Sequence, residues 1–132
     1  MKMIRIAIVL ALVAAGLALD IRPQQLEGVK RIDLQRHDLS ISGREVIQAR
    51  VEIAPGFTAP KHRHPGEEMV YMIEGALEYQ LEGKPPITLR PGQVLFIPAG
   101  VAHSAKNVGT GVGAELATYT VEKGKPLLVL VK

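Results

Sequence analysis

The sequence predicts an all-β domain, and three observations carry that prediction. Thirteen glycines and nine prolines among 132 residues cut the chain into short segments, which suits brief strands joined by turns. Leu77, Tyr79 and Leu81 alternate with Glu78, Gln80 and Glu82, the period-two mark of a strand with one buried and one wet face. After residue 22, no capped stretch with 3.6-residue periodicity reaches helical length. The chain has room for one domain, and a 47% hydrophobic content supplies its core.

Taken in order, the chain opens on a segment with its own logic. Met1-Lys2-Met3-Ile4-Arg5 is positively charged, Ile6 to Leu19 is apolar, and Gly16 and Ala18 are small. That is the layout of a secretory leader, read here as residues 1–18, and the apolar run is short for a membrane span. Cleavage after Ala18 removes Lys2 and Arg5 and no acid, leaving 114 residues with 14 basic against 13 acidic groups. The mature chain is thus expected in the periplasm or outside the cell, off the membrane. It carries no basic patch for nucleic acid. The absence of cysteine excludes disulfides, thiolate metal sites and cysteine nucleophiles.

Residues 19–30 read as a lead-in without periodicity, and residues 31–132 as a single barrel domain. Asp33–Leu39 is a weak edge strand and Val46–Ile53 a better one, stopped by Pro55-Gly56. Met69–Ile73 is apolar at both parities, as in a strand covered on both faces. The Leu77–Glu82 strand turns at Gly83-Lys84-Pro85-Pro86 and returns as Ile87–Leu89. Arg90-Pro91-Gly92 turns the chain again into Val94–Ile97, and runs from Glu115 to Val121 and from Pro126 to Val131 close it. Eight or more short strands at this spacing predict a sandwich or barrel.

Three of the four histidines fall in two clusters. In Pro60-Lys61-His62-Arg63-His64-Pro65-Gly66-Glu67-Glu68, an extended backbone sends His62 and His64 to one face. Pro65-Gly66 then bends the chain so that Glu67 or Glu68 can swing back toward them. His103 follows a strand and a Pro-x-Gly turn, placed to add a third imidazole. Imidazoles with a carboxylate are a ligand set for one divalent transition metal ion: iron, manganese, nickel, copper or zinc. His37, between Arg36 and Asp38, reads as a surface residue.

These clusters resemble the two motifs of the cupin family. Gly56-x5-His62-x-His64-x3-Glu68-x6-Gly75 matches the first motif, and Gly92-x5-Pro98-x-Gly100-x2-His103-x3-Asn107 matches the second. The resemblance implies a cupin-type double-stranded β-helix, or jelly-roll barrel, with His62, His64, Glu68 and His103 as metal ligands. It selects Glu68 over Glu67, because only Glu68 keeps six residues before Gly75. Glu67 then points away or reaches the rim of the site. Gly75, Gly92 and Gly100 read as turn glycines, and Asn107 as a brace between side chain and backbone. Val70, Met72, Tyr79 and Phe96 are core by default.

A site of this kind brings one negative charge to a divalent ion and leaves positions open for an enolate, catecholate, diketonate or carboxylate. The expected function is a metal-dependent dioxygenase of the quercetinase or diketone-cleaving type, with Glu68 as base and Tyr71 or Tyr79 orienting a small-molecule substrate. A non-catalytic metal-dependent binding module of the cell envelope is the alternative. The apolar outward alternates of Met69–Ile73 need cover, so a homodimer is expected.

Overall fold

β2 (Arg44–Ile53) illustrates how the pattern becomes structure. Glu45, Ile47, Ala49, Val51 and Ile53 are buried, while Val46, Gln48, Arg50 and Glu52 between them are half-exposed. The structure, a computed structural model, describes residues 25–132. The leader and residues 19–24 of the lead-in therefore lie outside the described residues. The other strands are β1 (Val29–Asp38), β3 (Thr58–Arg63), β4 (Gly66–Glu74), β5 (Leu77–Leu81), β6 (Ile87–Leu89), β7 (Val94–Ile97), β8 (His103–Asn107), β9 (Gly113–Glu122) and β10 (Val129–Leu130). There is no helix among the described residues.

All strand pairs are antiparallel and form two five-stranded sheets, ordered β1-β2-β9-β4-β7 and β10-β3-β8-β5-β6. From β2 onward the chain passes repeatedly from one sheet to the other, which is jelly-roll topology. Between the sheets, Ile53, Val70, Met72, Leu77, Tyr79 and Leu89 make one apolar cluster. Ile47, Ala49, Val51, Ala117 and Tyr119 anchor a second.

Two local features set the geometry of the interior. Gly66 opens β4 so close to β9 that a Cβ there would lie 2.0 Å from the Thr120 carbonyl oxygen. Only glycine permits that approach, and it brings Glu68 in opposite Tyr119. Asn107 is 3% exposed. Its Nδ2 donates to the carbonyls of Ile53 and Gly111, and its Oδ1 accepts from the Gly109 amide, each at 2.8 Å. This is the expected brace.

Several expectations need correction. β1 begins at Val29, inside the segment read as lead-in, because pairing with β2 organises a strand whose own residues are mostly exposed. β3 and β8 are full strands that hydrophobic pattern alone did not reveal, since their inward positions include histidine and asparagine. The closing run is a strand only at Val129–Leu130. β4 is covered on one face alone: Met69, Tyr71 and Ile73 are 40%, 48% and 38% exposed. Phe96, opposite Met69 on β7, is also exposed rather than core. A run apolar at both parities cannot report which face lacks a neighbour.

Replacing Asn107 with Ala strips three backbone groups of their partner. The Asn107→Ala variant is expected to lose about 2–4 kcal/mol of stability in denaturant unfolding. A loss under about 0.5 kcal/mol would remove the brace from the account.

Candidate metal centre

The site begins with an irregularity in β3. Ala59 pairs with Ala105 and His62 with His103, so the register shifts by one between them. Ala59 and His62 are buried, while Pro60 and Lys61 are both exposed. This bulge at Pro60-Lys61 changes the parity of the strand. Without it, Lys61 and Arg63 would face the interior; with it, His62 and then His64 do.

His103, the first residue of β8, lies opposite His62 on β3 and Leu81 on β5. Glu68 approaches from β4 in the other sheet. The ligand atoms of His62, His64 and His103 lie within 4.8 Å of one another. Glu68 Oε2 is 3.1 Å from Nε2 of both His64 and His103. All four side chains are buried. The structure thus brings together the four residues singled out in the sequence.

The orientation of each ring is held from behind. His62 Nδ1 donates to the Pro60 carbonyl at 2.6 Å, His64 Nδ1 to Leu127 at 2.6 Å, and His103 Nδ1 to Val101 at 2.9 Å. A carbonyl can only accept, so each Nδ1 carries the proton, and a neutral ring then keeps a lone pair on Nε2. Those lone pairs converge. Despite their closeness, His64 Nε2 and Glu68 Oε2 are buried without a hydrogen bond. With the proton of His64 on Nδ1, these two acceptors face each other at 3.1 Å with nothing to share, an arrangement a metal ion between them would complete.

Burial alone would raise the Glu68 carboxyl, but His103 and His64 outweigh it and hold it at about 2. Burial, with His103 adding to it, lowers His62 to about 4, keeping that imidazole neutral. Against burial, the Glu68 carboxylate raises His103.

Residues that sequence reasoning missed lie nearby. Tyr119 is buried on β9, 4.7 Å from His64 ring to ring and opposite Glu68. Burial first, then the charge of Glu68, raises its hydroxyl well above the ordinary value. Glu115 is buried two inward positions further along β9 and accepts the Tyr79 hydroxyl proton. It has no cationic partner among the described residues; burial, helped by Glu68, pushes its carboxyl up to about 8. Period two along Glu115–Val121 places both residues on the inward face, and that alternation is the signal that could have found them. Tyr71 is exposed on the outer face and Tyr79 is committed to Glu115, so neither has the substrate-facing position expected of it. Glu67 points away and pairs with Arg44 at 3.0 Å. Cavities of about 320 Å³ and 580 Å³ lie on the outer face of β4 and β7 and beside residues Gln25–Lys30. Neither is lined by a site residue.

The cupin-domain family profile matches residues 49–127, most of the barrel. The chain belongs to the cupin family. Among its relatives is the dimethylsulfoniopropionate lyase DddQ of Ruegeria pomeroyi, 38% identical over 56 residues, covering 42% of this cupin and 28% of that protein. The solved structure of that lyase superposes with a TM-score of 0.59 at 28% identity, over 65% of this chain and 43% of the other. Germin-like protein 1 of Brassica napus is 30% identical over 86 residues, 61% of this cupin and 42% of the relative. A solved oxalate oxidase superposes with a TM-score of 0.65 at 26% identity, covering 83% and 58%. This cupin therefore spans less than half the length of each of these sequence relatives.

The Glu115 carboxyl supplies a pH test. Its folded value of about 8 lies above the ordinary 4.5. Its contribution to stability is complete below the ordinary value and is lost as pH rises through the folded one. Metal-free Glu115→Gln protein, which cannot ionise there, should melt several degrees above the parent at pH 8.5 and within a degree or two at pH 4.5. A constant gap across that range would contradict the assignment.

Proposed function

We propose that this protein is an exported, metal-dependent enzyme acting on a small oxygen-rich anion. One divalent transition metal ion would sit on His62, His64, His103 and Glu68. The observation carrying the reading is the convergence of three Nε2 lone pairs and a carboxylate, with each Nδ1 tied to a backbone carbonyl. A bound ion would act as a Lewis acid toward a carboxylate or enolate. Glu68 is placed to take or return a substrate proton, and Tyr119 beside it is the residue placed to orient that carboxylate, in place of Tyr71 or Tyr79.

The reaction we propose is oxidation by dioxygen, with a small carboxylate, enol or diketone as substrate. Oxalate oxidase and the dimethylsulfoniopropionate lyase both act, by name, on small carboxylates, which supports starting the search there. A binding module without turnover is the second reading, favoured by the near-complete burial of the ligand set.

Protein purified from its host should carry about one metal ion per chain, and His62→Ala should lose it. Metal-replete protein should then consume dioxygen with at least one member of a panel of short carboxylates, flavonols, catechols and 1,3-diketones. Release of an alkene acid without oxygen uptake would move the assignment to a lyase. Binding without any conversion would leave the module, and absence of metal uptake would overturn both readings.

We also propose a homodimer, with a second copy covering the exposed strip of Met69, Tyr71, Val94 and Phe96 on the edge of the β1-containing sheet. Light scattering should give twice the chain mass, and Phe96→Glu should halve it. A monomeric parent would contradict this.

A further inference from the structure

Each of the four clustered side chains is less than a tenth exposed, so movement of a neighbouring segment would widen the way to them for an ion or small molecule. One segment is held differently from the rest. Residues 125–131 leave β9 at Gly124, whose φ is +77° and where an added Cβ would meet nothing within 4 Å. It is an exposed turn held in the left-handed backbone region that glycine adopts most readily. Leu127 then packs beside Tyr119 and the other residues of the second apolar cluster, and its carbonyl takes the His64 Nδ1 proton at 2.6 Å.

The segment ends as β10, two residues on the outer edge of its sheet, with Val129 opposite Arg63 and Leu130 opposite His62. One more backbone bond, from Val131 N to Lys61 O at 2.9 Å, completes the attachment. Every other strand has at least three residues. Val129 and Leu130 are 40% and 39% exposed, so release of β10 itself uncovers little new apolar surface, and the main apolar contact to be broken is that of half-buried Leu127. A short edge strand with few buried contacts opens at the low end of the local stability scale.

We propose that residues 125–131 form a strap that gates the imidazole cluster, hinged at Gly124 and latched by β10 on β3. The inference rests on the metal-centre reading above and extends it. Closed, the strap covers the edge beside His62 and fixes the ring of His64 through the Leu127 carbonyl. Open, it frees that edge and removes the partner that orients His64. Entry to the site and alignment of one ligand are therefore controlled by the same seven residues.

The absence of cysteine from the parent chain makes a clean test available. Arg63→Cys with Val129→Cys places two thiols on a cross-strand pair whose side chains are exposed. Antiparallel partners have Cα atoms about 4.5–5.5 Å apart, within disulfide range. Zinc-loaded protein is mixed with excess chromophoric chelator, and zinc release is timed for the oxidised and reduced forms. The oxidised form should release zinc at least ten-fold more slowly than the reduced form, and the reduced form should match the parent. A chain lacking residues 126–132 should release it faster and bind it roughly ten-fold more weakly, as loss of a ligand's outer hydrogen bond does. Equal release from oxidised and reduced forms would overturn the gate, whatever the truncated chain does. Zinc content is measured before each run, so a chain that takes up no zinc overturns the metal-centre reading itself, separately from the gate.

Discussion

A carboxylate and three imidazoles are buried together in the interior of a small barrel, and that burial constrains everything around them. Polar groups taken from water need partners, and each one left alone costs about 1–3 kcal/mol. The barrel supplies partners for one side of each ring and withholds them from the other. Backbone carbonyls of Pro60, Leu127 and Val101 take the Nδ1 protons. His64 Nε2 and Glu68 Oε2 face inward with no hydrogen bond. Such a cluster is a poor device for stability, and it makes physical sense as a ligand cage.

The rest of the fold serves to hold that cage. The bulge at Pro60-Lys61 turns His62 of β3 and, just beyond it, His64 inward, Gly66 lets β4 approach β9, and the register of β8 sets His103 against His62. Each acts through the backbone: His62 and His103 come from one sheet, Glu68 from the other, and His64 from the link between β3 and β4. The three carbonyls come from a bulge, from the turn before β8 and from the C-terminal strap. Of these, the strap is the least firmly attached, which ties the alignment of His64 to a movable element.

A second polar feature shares the interior. Glu68 is held ionised by the histidines, whereas Glu115 has only the Tyr79 hydroxyl and burial favours its neutral form. Two carboxyls in one barrel are thus pushed apart in proton affinity by their surroundings.

Much of this was legible in the sequence, for reasons that differ by residue. The resemblance of the spacings around His62, His64, Glu68 and His103 to the cupin motifs pointed to the residues that cluster and implied the jelly roll. The alternation at Leu77–Leu81 gave a strand directly. β3 and β8 were hidden because the site itself replaces apolar residues on their inward faces. Met69–Ile73 misled because apolar residues at both parities are silent about which face is open. Tyr119 and Glu115 were hidden because polarity on an inward face looks like an outward one. The strap could not be read at all, since two residues of β10 carry no periodicity.

The most direct test of the central claim is X-ray absorption at the metal edge of protein loaded with one equivalent of zinc. The account predicts a first shell of nitrogen and oxygen at about 2.0–2.2 Å, with the outer-ring scattering of three imidazoles, reduced to two in His103→Ala. A shell without imidazole scattering, or one unchanged by that substitution, would contradict it.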